Sequence, residues 1–183
     1  MRRSEILALR WSDVDLVLCQ ISISRTIHQL HNGRIIYGEP KTVKSRRMIA
    51  LSPTTTIVLR EHQEAQQTLR ESLGLPFTDD DLVFCRYDGK PYLPDSITHS
   101  WHKLALRCGL QSVRLHDARH THASLMLKQG VHPKIVQERL GHSSIQITLD
   151  TYSHVAPGLQ EAAAKSFDDI VMLKHKDAVD VES

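Results

Sequence analysis

Several absences narrow this 183-residue sequence before any motif is read. It has three cysteines, Cys19, Cys85 and Cys108, an odd number at wide spacing with no CxxC pair. That excludes a disulfide framework and fits a reducing compartment. Aromatic residues make up only 5% of the chain, too few for a stacking platform on single-stranded nucleic acid. No apolar run approaches the roughly 18 residues of a membrane span, and no signal-peptide core opens the chain. Neither sign of charge dominates. Lys plus Arg exceeds Asp plus Glu by 2, and 12 histidines accompany a pI of about 8.5. Such a balance hints at a polyanionic partner without establishing one. The hydrophobic share of 40% and the charged share of 24% are those of a globular protein and exclude wholesale disorder.

The pattern along the chain predicts an α+β protein, mostly helical, with a small three-stranded antiparallel sheet near the N-terminus. Ile6, Leu7, Leu9 and Trp11 read as a short helix broken at Ser12-Asp13. Alternation over Ile21, Ile23 and Ile27, a hairpin turn at Asn32-Gly33, a return over Arg34–Tyr37 and a further run Arg46–Leu51 supply the strands. Ser52-Pro53 caps a helix that runs to about Leu73, and Leu82-Val83-Phe84 reads as a brief strand. Further helices are expected from Pro94 to Gly109, burying Ile97, Trp101, Leu104, Ala105 and Cys108. Others are expected from His116 to Gly130, from Pro133 to Gly141, over 144–156, and from Pro157 to about Leu173. The apolar run Ile170–Leu173 ends the last of these. Residues 1–173 read as one domain and 174–183 as a polar, frayed tail.

Two clusters carry chemistry. His116, Arg119 and His120 are three and four residues apart, so they share a helix face where a guanidinium fork and an imidazole could meet a phosphate. A solvated helix start accounts for an isolated HxxRH equally well. The His116/His120 pair could also ligate zinc, but no HExxH glutamate or nearby cysteine supports a metal site. Ten residues separate His142, in Leu140-Gly141-His142-Ser143-Ser144, from Tyr152, in Thr151-Tyr152-Ser153-His154. Alone, the Gly-His reads as a helix cap and the tyrosine as a core residue.

Taken together, His116–Ser124, Glu138–Ser144 and Thr148–Val155 resemble the catalytic domain of the tyrosine recombinases, above all the integrases of phages and conjugative transposons. Met1–Asp15 resembles that family's first arginine box, and Lys41–Arg47 its lysine hairpin, so separated boxes agree in order over residues 1–156. The resemblance implies that Tyr152 is the nucleophile and Arg2 and Arg119 the phosphate-binding arginines. It makes Lys41 the general acid, with Lys44 as the alternative in the same turn, His116 the base, and His142 a further hydrogen-bonding group. Glu5 and His120 become supporting residues, and Lys44, Arg46 and Arg47 follow the DNA backbone. A solvated turn is the plainer reading of that basic run.

It also implies double-stranded DNA as partner, a homotetramer on DNA with a monomer in isolation, no cofactor or metal, no membrane, and a cytoplasmic location. The chain departs from the family in Ala118, where leucine is usual. It also departs in starting one residue before the first arginine, so it is expected to be an N-terminally truncated catalytic domain. An excised fragment, a truncated product and a late start all fit that. The activity expected is strand cleavage and rejoining through a 3′-phosphotyrosyl bond during integration or excision. A DNA-binding remnant that does not cleave is the alternative.

Overall fold

The computed structural model describes residues 1–39 and 46–152, together with 164, 165, 167 and 168. The proposed lysine turn at Lys41 and Lys44, the apolar run 170–173 and the tail lie outside the described residues.

The chain begins with a one-turn helix, α1 (Arg3–Ile6), and a 3-10 turn at Trp11–Asp13. Between them the expected helix does not continue. Leu7, Ala8, Leu9 and Trp11 are all buried, so this segment is surrounded on every side and has no polar face for a helical period to reveal. Its backbone is held by Leu82–Val83, where the Val83 N–H donates to the Leu9 carbonyl at 2.9 Å and Arg10 forms a single bridge with Leu82. The strand expected at Leu82–Phe84 is thus reduced to one bridge.

Five short strands follow: β1 (Val14–Asp15), β2 (Gln20–Ile23), β3 (Thr26–Gln29), β4 (Ile35–Gly38) and β5 (Arg47–Ala50). They form two antiparallel sheets, β1-β2-β5 and the hairpin β3-β4, where one three-stranded sheet was expected. The division falls at Ser24-Arg25. The Ser24 hydroxyl binds the Asp13 carboxylate at 3.0 Å and the Arg25 guanidinium donates to the Ala8 carbonyl at 3.0 Å, so the chain is tied off between β2 and β3. The hairpin turns where Asn32-Gly33 predicts. Gly33 has φ +79°, a left-handed conformation that a side chain disfavours, and the Asn32 side chain accepts the Arg34 N–H at 3.0 Å. In the three-stranded sheet Ile21, Ile23 and Ile49 point inward and join Leu9, Trp11, Val83 and Leu59 in the main core.

Helix α2 (Pro53–Ser72) starts at an Ser52 cap whose hydroxyl accepts the Thr55 N–H. It covers the core with Leu59 and with two polar clamps: His62 on the Val83 carbonyl at 2.7 Å, and Gln66 between the Trp11 indole N–H and the Leu82 carbonyl. Helices α3 (Pro94–Arg107), α4 (Leu115–Lys128), α5 (Pro133–Leu140) and α6 (Ile145–Tyr152) complete the described fold. Helix α5 packs against α4, α6 and β5, and Ala123, Val136 and Leu140 form a second small core there. Helix α3 buries less than its pattern suggests. Ala105 is buried, but Leu104 is 51% exposed and Cys108 is also exposed, because α3 meets the N-terminal segment through Ile97 and α4 along a short contact, which leaves these positions outside.

Ile23 is 2% exposed at the centre of the main core, whereas Ile36 on β4 is 39% exposed. Ile23→Ala is expected to cost about 2–5 kcal/mol in urea unfolding and Ile36→Ala a small fraction of that.

Candidate active site

The end of α5 organises the site. A helix leaves its last carbonyls without intrahelical partners, and its C-terminus carries partial negative charge. Three consecutive carbonyls here are each taken by an arginine. Arg47 Nε donates to the Arg139 carbonyl at 3.1 Å, Arg119 Nη2 to Leu140 at 2.6 Å, and Arg2 Nη2 to Gly141 at 2.9 Å. Gly141 closes the helix in a left-handed conformation (φ +68°, ψ +43°), and a Cβ there would stand 2.7 Å from Arg47 Nη1. Both the backbone angle and the packed guanidinium require glycine.

Arg2 reaches this point from the start of α1. Its backbone N–H donates to the Glu5 carboxylate at 2.6 Å, half of a capping box, and its Nη1 to the same carboxylate at 3.1 Å. Glu5 is only 1% exposed, yet it stays ionised because Arg47 grips both of its oxygens, at 2.8 and 3.1 Å. Burial alone would raise the Glu5 carboxyl; the hydrogen bonds from Arg47 and the Arg2 backbone outweigh it and hold it below the ordinary range. Arg47 therefore occupies a different place from the DNA-facing one expected of it: its side chain is 7% exposed and bound inside the protein. Arg46, next to it, is exposed and paired with Glu39 at 2.7 Å. Lys41 and Lys44 lie outside the described residues.

Helix α4 brings the second cluster. Asp117 accepts the Arg114 N–H at 2.8 Å and so fixes the helix start. From it Arg119 turns inward, 8% exposed, while His116 is exposed and His120 half-buried, their rings edge to face at 4.6 Å. Burial, His120 and Arg119 lower the His116 pKa, so this imidazole is neutral at pH 7 and able to accept a proton. Arg2 and His116 both open onto a depression of about 660 Å³ that His28 and His31 also line.

His142 follows directly on Gly141. Its backbone is held at both ends by Gln137, through the Gln137 carbonyl at 3.1 Å and the Gln137 side-chain amide at 2.7 Å. Its Nδ1 lies 2.9 Å from the Thr148 hydroxyl on α6. Burial first, then Arg119, Arg2, His120 and Arg47, push its pKa down to about 4. Helix α6 packs on α5 and α4, and Tyr152 is its last described residue. Arg2, Arg119 and His142 thus meet at the C-terminus of α5, with His116 on the same face of the fold as Arg2 and Tyr152 on the adjoining helix. Glu5 sits beneath them.

Three residues that build this arrangement went unnoticed in the sequence. Gln137 and Arg139 look like ordinary helix-surface residues, and Arg139 instead donates to the Ala50 carbonyl and to His122. Thr148 had a legible sign: it is a polar residue one turn before Tyr152, on a helix that must bury one face. Among the described residues no group of three or more His, Cys, Asp or Glu is placed to hold a metal ion.

Two guanidiniums and a neutral imidazole around one point, beside the helix that carries Tyr152, make a positively charged site whose donors suit an anion. By comparison with known proteins, the chain belongs to the phage integrase family, whose model matches residues 1–158. It is 32% identical over 171 residues to the ICEBs1 integrase of Bacillus subtilis (strain 168), covering 93% of this chain and 46% of that protein. It is also 28% identical over 174 residues to the integrase of Staphylococcus phage L54a, covering 93% and 49%. The chain thus spans about half the length of the relatives it matches. Its fold matches the Tn1549 transposon integrase, solved in complex with transposon right end DNA, with a TM-score of 0.75 at 20% identity over 93% of this chain and 55% of that one. The XerA recombinase gives 0.65 at 22% identity over 90% and 53%. The tyrosine-recombinase fold, α+β and mostly helical with small antiparallel sheets, is the one expected, and no helix among the described residues is long and apolar enough to cross a membrane.

Removing Arg47 would leave the buried Glu5 carboxylate with Arg2 alone. Arg47→Met is expected to cost about 3–5 kcal/mol in chemical denaturation, and the double change with Glu5→Leu distinctly less. A second outcome concerns acid. The unfolded chain protonates His142 near pH 6.5, while the folded protein resists until about pH 4. Stability present above pH 6.5 is therefore lost as pH falls toward 4, and His142→Gln should flatten that part of a denaturation profile.

Proposed function

We propose that this chain is the catalytic part of a site-specific DNA recombinase, acting on double-stranded DNA in the cytoplasm to integrate or excise a mobile element. The observation that carries the reading is the meeting of Arg2, Arg119 and His142 at the C-terminal carbonyls of α5, beside the helix that carries Tyr152. Residues 1–173 make up the catalytic domain and 174–183 a tail.

In this reading the Tyr152 phenol oxygen attacks the phosphorus of a DNA phosphodiester, a P–O bond to tyrosine forms, and the bond to the 5′ oxygen breaks. Charge gathers on the non-bridging oxygens of the transition state. Two guanidinium forks and the His142 imidazole meet it, held in place beforehand by the contacts described above. A phenol in water has a pKa of about 10 and is helped by a base, and neutral His116 takes its proton. Lys41 supplies the proton that the 5′ oxygen takes as it leaves, and Arg46 with Lys44 holds the neighbouring backbone. Attack by a second strand's 5′-hydroxyl on the phosphotyrosine reverses the step and exchanges strands. No metal or cofactor takes part, and four protomers assemble on DNA.

A nicked duplex that loses its 5′ fragment on cleavage should trap the protein covalently on DNA. Tyr152→Phe should abolish trapping, and Arg119→Lys, which keeps the charge and loses the fork, should reduce it by orders of magnitude while duplex binding changes little. Binding without trapping by the unaltered chain would mean a non-cleaving DNA-binding remnant; trapping by Tyr152→Phe would refute the nucleophile.

A further inference from the structure

Thr148 is one of several helical threonines, and its hydroxyl behaves differently from four of them. Those of Thr56, Thr68, Thr98 and Thr121 each donate back to the carbonyl four residues earlier in their helices, at 2.9–3.2 Å. Thr148 has none of its surface exposed, and among the described residues the one hydrogen-bond partner of its hydroxyl is Nδ1 of His142, at 2.9 Å.

That contact can be made in two ways. The hydroxyl can donate to a bare Nδ1, or accept from a protonated one. A hydroxyl has one hydrogen to give and two lone pairs, and a buried donor without an acceptor is costlier than an acceptor with a spare lone pair. If Thr148 accepted, its O–H would have no acceptor among the described residues. If it donates, the buried hydrogen is satisfied and the imidazole proton must sit on Nε2. The imidazolium alternative, protonated on both nitrogens, is opposed by burial and by the neighbouring Arg119 and Arg2 guanidiniums, with His120 and Arg47 adding to them.

We infer that Thr148 is a positioning residue that holds neutral His142 in the tautomer with its proton on Nε2, making it a hydrogen-bond donor rather than a base. This rests on the reading of His142 as a phosphate-facing group. It deepens that reading, because only a donor can stabilise the extra charge of a phosphorane. It also separates the roles of the two imidazoles: His116, exposed on α4, is left as the proton acceptor. Gln137 adds to the arrangement from below by fixing the His142 backbone at both ends. The ring is thereby set by α5 on one side and by α6, the helix that carries Tyr152, on the other.

The tautomer is read directly from the ring-nitrogen chemical shifts of ¹⁵N-histidine-labelled protein near pH 7, without DNA, with His142 assigned by comparison with His142→Gln. The expected result is a pyridine-like Nδ1 and a pyrrole-like Nε2. Thr148→Ser should keep it, and Thr148→Val, which keeps the shape and removes the hydroxyl, should lose the single-tautomer pattern. Covalent trapping on nicked duplex should then fall by up to about 100-fold in Thr148→Val and recover largely in Thr148→Ser. A protonated Nδ1 in the unaltered protein overturns the inference, as does an unchanged tautomer in Thr148→Val. If no variant traps DNA but the shifts behave as expected, the recombinase reading fails and the role of Thr148 stands. Should Thr148→Val not fold, the shifts of the unaltered protein and of Thr148→Ser decide alone.

Discussion

Three guanidiniums on three successive carbonyls hold this molecule's functional end together. The C-terminus of α5 offers unpaired acceptors and partial negative charge, and Arg47, Arg119 and Arg2 arrive there from β5, α4 and α1. Each brings a different part of the fold, so the sheet, the helical bundle and the N-terminal segment are all referred to one point. An arginine suits this because it can spend one N–H on a carbonyl and still present others. Arg2 does so visibly, dividing its donors between Gly141 and Glu5 while remaining partly open to solvent.

Packing so many positive charges together requires a counterweight, and Glu5 provides it. Its carboxylate, almost wholly buried, is shared between Arg47 and Arg2. The result is a graded set: Arg47 is bound to Glu5 inside the protein, Arg119 is buried against the Leu140 carbonyl, and Arg2 is partly open to solvent. Burial, and after it the same positive field, keeps His142 neutral at physiological pH, since guanidiniums that favour an anion also resist a proton on the neighbouring ring. Electrostatics that prepare a site for an anion thus also set the protonation state of the groups within it.

Much of this could be read along the chain. Helices α2, α4 and α5 begin and end where Ser52-Pro53, the HDARH run, Pro133 and Gly141 place them, because caps, proline and left-handed glycine act locally. The hairpin turn at Asn32-Gly33 is local in the same way. Expectation and structure part where burial is complete or partners are distant. Leu7–Trp11 has no polar face from which to tell helix from extended chain. The strands divide into two sheets because Ser24 and Arg25 find Asp13 and Ala8, contacts that no period reveals. Leu104 and Cys108 stay exposed because amphipathic spacing identifies a face and leaves open whether anything covers it.

By itself the sequence determined the family resemblance, the candidate residues and the α+β class, since each depends on residue types at short, fixed spacings. Only the tertiary structure decided what those residues do to one another. It turned Arg47 from an expected contact of the DNA backbone into the partner of a buried carboxylate, and drew Thr148 into contact with His142. It also set Arg2 against Gly141 across 139 positions of chain. Spacing along a helix or strand is a property of the backbone, whereas a guanidinium finds its carbonyl only after packing has excluded water and brought distant elements within about 3 Å.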